Sequence, residues 1–122
     1  MAITQENWSI DTSLATASAF RQFRKKHPRE YDSCFNNLDK IIRLLDEGKT
    51  LSEIQYNPSF FRHETEGIFR IGQSGLAGAK ESRLYIYLSF SGRMIYVLGI
   101  GTKETQQADL RQARKSIKNI GK

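Results

Sequence analysis

The stretch that decides the fold is Arg83–Ile120, RLYIYLSFSGRMIYVLGIGTKETQQADLRQARKSIKNI. Residues 83–90 alternate: Arg83, Tyr85, Tyr87 and Ser89 share one face, and Leu84, Ile86, Leu88 and Phe90 the other. A period of two predicts a strand with two different faces. Ser91-Gly92 supplies a turn, and residues 93–101 are apolar along nearly their whole length, as a strand covered on both sides must be. From Gln107 to Ile120 the period changes to that of a helix, with Leu110, Ala113, Ile117 and Ile120 on one stripe. The segment therefore reads as an antiparallel strand pair followed by a basic helix.

Working outward toward the N-terminus, Ile68-Phe69-Arg70-Ile71 between Gly67 and Gly72 reads as a short strand, completing a three-stranded meander. Residues 74–82, with Gly75 and Gly78, read as a hairpin loop. Residues 49–66 are less patterned. Thr50–Tyr56 suits either a turn of helix or an extended connector, and Pro58 with Phe60 and Phe61 reads as a loop held down by aromatics. Before it, Tyr31, Cys34, Phe35, Leu38, Ile41, Ile42 and Leu45 recur at three- and four-residue steps. That spacing predicts an amphipathic helix over 28–47, opened by Pro28 and ended by Gly48. A shorter helix over 13–26 precedes it, with Asp11, Thr12 and Ser13 as capping candidates. Trp8-Ser9-Ile10 reads as a first strand after a loose start over residues 1–6. The expected class is α+β: an N-terminal strand, a two-helix hairpin, an antiparallel meander and a C-terminal helix.

The chain has 122 residues, which favours one domain spanning 1–122 and burying about 65% of its unfolded surface. With 39% hydrophobic and 26% charged residues it is globular in composition. The formal net charge of +6 points toward an acidic partner such as nucleic acid or an acidic protein. Cys34 is the sole cysteine and lies in the apolar stripe, which makes it a buried structural thiol. No apolar run reaches membrane-spanning length and no secretory signal opens the chain, so the expected compartment is the cytoplasm, with no membrane contact. No Cys/His cluster suggests a metal site, and Gly99-x-Gly101 lacks the context of a nucleotide loop. No cofactor is expected.

The order of elements, together with Arg83-Leu84-Tyr85-Ile86-Tyr87, Gly92, Val97–Gln106 (VLGIGTKETQ), Asp109-Leu110 and Ala113, resembles the RelE/ParE superfamily of bacterial toxins, in its HigB-like or addiction-module-killer branches. The likeness spans residues 7–120. It implies a compact toxin held inactive by a cognate antitoxin. Many members cut messenger RNA on the ribosome without a metal, while the ParE branch inhibits DNA gyrase without chemistry. The shared fold does not choose between them, and a non-toxic nucleic-acid-binding relative is a third alternative.

Metal-free RNA cleavage needs cations to stabilise charge on the phosphorane, and an acid or base within reach. On the family pattern Arg83 is the first candidate, its guanidinium gripping the scissile phosphate, and Lys103 the second. Arg70 and Lys80 are candidates for RNA contact along the groove, and Tyr85 and Tyr87 for base stacking or proton donation. His63 is a tempting base by residue type but lies in the aromatic-rich connection, where a structural role is simpler. Many ribosome-dependent members carry a tyrosine or histidine near the last helix. Here residues 107–110 read Gln, Ala, Asp, Leu, so the nuclease, gyrase-directed and inactive alternatives all stay open. Two basic clusters, Arg21, Arg24, Lys25, Lys26 and Arg29, and Lys103, Arg111, Arg114, Lys115, Lys118 and Lys122, suit a phosphate backbone, an acidic tail, or simple solvation.

Overall fold

The computed structural model describes residues 7–56 and 60–120. The loose start, Pro58 and Lys122 lie outside the described residues. The elements run β1 (Ser9–Asp11), α1 (Ala17–Lys26), α2 (Pro28–Asp46), α3 (Leu51–Tyr56), β2 (Phe61–Thr65), β3 (Ile68–Gly72), β4 (Ser82–Ser89), β5 (Met94–Thr102) and α4 (Gln106–Ile117), with a single 3₁₀ turn, Lys103–Thr105, leading into α4. The architecture is α+β, as the sequence predicts. Five strands form one mixed sheet in the order β1-β5-β4-β3-β2. Strands β2 to β5 are antiparallel neighbours, and β1 joins β5 in parallel.

The meander has four strands rather than the three expected. Phe61 opens β2 instead of closing a loop. Only Phe61 is buried in that strand, while Arg62 and His63 are exposed, so no alternation marks it in the sequence. Thr50–Tyr56 resolves into helix. The Thr50 hydroxyl accepts from the Glu53 amide and donates to the Glu53 carboxylate, a reciprocal cap. Helix α1 begins at Ala17, four residues later than expected, because the Asp11 carboxylate accepts from the Ser13 amide and hydroxyl in a local turn.

Each face of the sheet has its own apolar layer. One layer packs Cys34, Leu38, Ile41 and Leu45 of α2 against Phe61, Phe69, Ile71, Leu84, Ile86, Leu88, Ile95 and Val97. The opposite layer packs Leu110, Ala113 and Ile117 of α4 against Ile68, Tyr85 and Leu98, with Tyr87 and Tyr96 at its side. A bulge makes both layers possible. Tyr85 pairs with Gly99 but Ile86 pairs with Val97, leaving Leu98 as an extra residue. Beyond it, Ile100 returns to the α2 side and Gly101 faces α4, where a Cβ would lie 2.5 Å from Thr105 Oγ1 and 3.0 Å from Asp109 Cγ.

The long loop between β3 and β4 is fastened to α2 by polar groups. Asn37, 1% exposed, donates to the Gly72 carbonyl at 2.8 Å. Ser33 Oγ accepts from the Ser74 amide at 3.0 Å. Buried Glu30 accepts from the Lys80 amide at 3.2 Å. Buried polar groups stabilise only when partnered, so these three fix the path of the chain into β4 and the position of Lys80 and Glu81.

Candidate anion site

Strand register brings the candidate cations together. Residues directly opposite in a sheet share a face. Arg62 lies opposite Arg70, and Arg70 opposite Tyr85. The next row runs from Gly72 to Arg83 to Gly101. Arg62, Arg70 and Arg83 therefore project from the α4 face of three adjacent strands. They line one cleft of about 140 Å³ with Phe60, Gln73 and Glu81.

The first residue of α4 joins two of them. Gln106 Oε1 accepts from Arg83 Nη1 and, at 3.4 Å, from Arg70 Nη1. Arg83 is held firmly, with its side chain 12% exposed. Its other Nη lies 3.6 Å from Glu81 Oε1, and Arg70 Nε lies 3.0 Å from Glu64 Oε1. Lys103 is displayed at the rim, its Nζ 3.7 Å from Glu81 Oε2. Lys80 Nζ meets Glu104 Oε1 at 2.5 Å. The outer pairs are solvated and contribute little to stability, so their cations stay available to another anion.

Thus Arg70, Lys80, Arg83 and Lys103, all expected on a common groove, do gather around the start of α4. The two tyrosines do not join them. Tyr85 is fully buried beneath α4, so its ring offers no face on which a base could stack. Burial pushes its phenol well above the usual range, nearby Asp109 adds to this, and Arg83 opposes it. Its hydroxyl is buried and has no hydrogen-bond partner among the described residues. Tyr87 lies four residues from Arg83, roughly 13 Å along the strand, beside Tyr96 with ring centroids 6.2 Å apart. His63 pairs with Phe69 in register and packs edge-on to its ring, on the face opposite Arg70. Sequence reasoning gave no role to Arg62, Glu81 or Gln106. Gln106 was within reach, as the last residue of the motif Val97–Gln106. Arg62 was hidden with β2, and Glu81 in what reads as a loop.

Asp109 stands behind the cleft. Thr105 Oγ1 donates to its Oδ2 at 2.6 Å, yet desolvation holds its carboxyl above the usual value. Thr102 and Thr105 form a reciprocal cap around the 3₁₀ turn. Together these bonds fix how α4 leaves β5, and so where Gln106 meets Arg83.

Among the described residues, no group of His, Cys, Asp and Glu side chains could hold a metal ion, and no helix is long and apolar enough to cross a membrane. The cleft's own side chains concentrate positive charge with oriented N–H donors, which suits a phosphate or carboxylate. In comparisons with known proteins, no family model and no curated protein matches the chain.

Proposed function

We propose that this protein is the toxin of a toxin–antitoxin module of the RelE/ParE type, and that it cleaves messenger RNA on the ribosome. The observation that carries the reading is the convergence of Arg62, Arg70 and Arg83 in one cleft, with Lys80 and Lys103 at its rim. In the proposed reaction the ribose 2′-oxygen attacks the adjacent phosphorus as the bond to the 5′-oxygen breaks. The 2′-hydroxyl proton is removed and a proton reaches the leaving 5′-oxygen, leaving a cyclic phosphate and a 5′-hydroxyl. Arg83, pre-set by Gln106, grips the non-bridging oxygens, and Lys103 adds charge as the phosphorane forms. Oriented cations of this kind are worth several kcal/mol in a transition state. Arg70, Arg62 and Lys80 bind neighbouring phosphates. The proposed partners are the ribosome, messenger RNA and a cognate antitoxin, and the proposed compartment is the cytoplasm.

A second reading, a ParE-like inhibitor that binds DNA gyrase without chemistry, has its own support. Tyr85, the aromatic nearest Arg83 on its strand face, is shut away beneath α4, and the helix start offers a glutamine where an acid or base would serve. The test is primer-extension mapping of message ends within minutes of inducing the protein alone in bacteria, beside Arg83→Ala. Cuts inside translated codons that vanish in the variant are expected. Arrested growth with intact messages and DNA breaks would transfer the assignment to gyrase. Normal growth with intact messages would refute both.

A further inference from the structure

We propose that Glu81 is a built-in competitor for the anion site, occupying with its own carboxylate the place between Arg83 and Lys103 that a ligand phosphate takes. This rests on the reading that the arginine cleft receives a phosphate. Glu81 Oε1 lies 3.6 Å from Arg83 Nη2, and its Oε2 lies 3.7 Å from Lys103 Nζ. One carboxylate thus spans the two cations assigned to the scissile phosphate, with one oxygen directed to each.

The arrangement follows from the backbone. Glu81 and Arg83 are two residues apart where the chain enters β4, so both side chains project to the same face. The ladder continues past its last paired residues, Ser82 and Thr102: the Lys103 amide donates to the Glu81 carbonyl at 2.9 Å. Lys103 is therefore opposite Glu81. Lys80, next to Glu81, is tied to α2 through buried Glu30, so the segment cannot drift away. At the same time the Glu81 side chain is 63% exposed, and neither ion pair is tight. A contact of that kind is easily broken by a competing anion. Glu64 stands differently. It holds Arg70 Nε at 3.0 Å and is 17% exposed, so it belongs to the site's frame.

The consequence is a threshold. An anion that offers a single oxygen must displace Glu81 without replacing both of its contacts. A phosphodiester, with two non-bridging oxygens, replaces both at once. The same carboxylate lowers non-specific capture of anions by a surface otherwise rich in cations.

The experiment is a titration of the full chain with inorganic phosphate, following the Arg83 Nε–H and the Gly101 and Lys103 amides by NMR. Four proteins are compared: wild type, Glu81→Gln, Glu104→Gln and the Arg83→Ala/Glu81→Gln double variant. Glu104→Gln makes the same charge change beside Lys80 and controls for overall charge. Glu81→Gln is expected to lower the half-saturating phosphate concentration roughly two- to fivefold. Glu104→Gln should change it less, the double variant should lose the response, and added salt should shrink the gain. Equal effects of the two glutamine variants, weaker binding in Glu81→Gln, or no phosphate-dependent shift at Arg83 in either wild type or Glu81→Gln would each overturn the proposal. Message cleavage is scored separately: a phosphate response without cleavage defeats the nuclease reading alone, and cleavage without a Glu81 effect defeats the competitor alone.

Discussion

Gly101→Ala should act on α4 and, through it, on Arg83. A Cβ at residue 101 would lie 2.5 Å from Thr105 Oγ1, 3.0 Å from Asp109 Cγ, and closer still to Asp109 Oδ2. Comfortable contacts are about 3.5–4.0 Å, so the start of α4 must retreat by roughly an ångström. Inserting a methyl into a packed junction typically costs about 1–3 kcal/mol. Breaking the hydrogen bond from Thr105 to Asp109 adds to this, but both groups then reach water. A net loss near 2 kcal/mol is expected, which for a chain of this length is a melting temperature lowered by roughly 6–10 °C. The assay is urea and thermal unfolding of four proteins: wild type, Gly101→Ala, Asp109→Ala and the double variant. Removing the Asp109 carboxylate takes away the nearest obstacle, so the alanine should cost about 1 kcal/mol less in that background. The Arg83 Nε–H resonance should also move in Gly101→Ala, because Gln106 rides on the displaced turn. Strict additivity of the two substitutions would refute this account of why residue 101 is glycine.

Three further outcomes are expected. Tyr85→Phe removes a buried hydroxyl that has no partner among the described residues, so stability should hold or rise by about 1 kcal/mol, and a loss of that size in urea unfolding would mean the hydroxyl is bonded. Asn37→Leu leaves the Gly72 carbonyl without its side-chain donor; stability should fall by about 2 kcal/mol, and amide exchange should quicken over residues 73–81, whereas unchanged exchange there would deny Asn37 its fastening role. Burial pushes the Cys34 thiol from 9.0 up to about 12, so the folded state keeps the proton that the unfolded chain releases. Its contribution is whole below pH 9 and declines above it, so the stability difference between wild type and Cys34→Ala should shift against wild type by about 1.4 kcal/mol per pH unit between pH 9 and 12. A flat difference across that window would show that the thiol is not excluded from water.

Much of the fold was legible because burial imposed a period. The stripe from Cys34 to Leu45 and the alternation from Leu84 to Leu88 both mark residues that meet in one core layer. The class and the last four elements could be read from them. What stayed hidden lacked such a signal. Strand β2 buries only its first side chain, so its sequence looks like a surface loop until β3 is in place. The bulge at Leu98 breaks the alternation in β5 at the place where the site is set, and Gly99 beside it is its one local mark. The alternation does place Arg83 and Tyr85 on one strand face, but a shared face does not mean shared exposure. Arginine sits at the start of α4, where the cleft opens, and tyrosine is buried beneath the helix. Arg62 and Glu81 became visible only through register, since one needs β2 and the other needs the ladder to run past Thr102.

The parallel pairing of β1 with β5 sets Ser9 opposite Met94, and this has a consequence for how the chain folds as it is made. The first strand leaves the ribosome long before its partner exists, and the apolar stripe of α2 waits for the meander that will cover it. Folding driven by contacts so far apart in sequence is slow, and it leaves sticky surface bare in the meantime. Nascent chains halted before β5 should therefore show α2 helical but its stripe open to chaperones or to any hydrophobic probe. The arginine cleft is built from β2, β3, β4 and the first turn of α4, so no anion site is assembled until synthesis has passed Gln106.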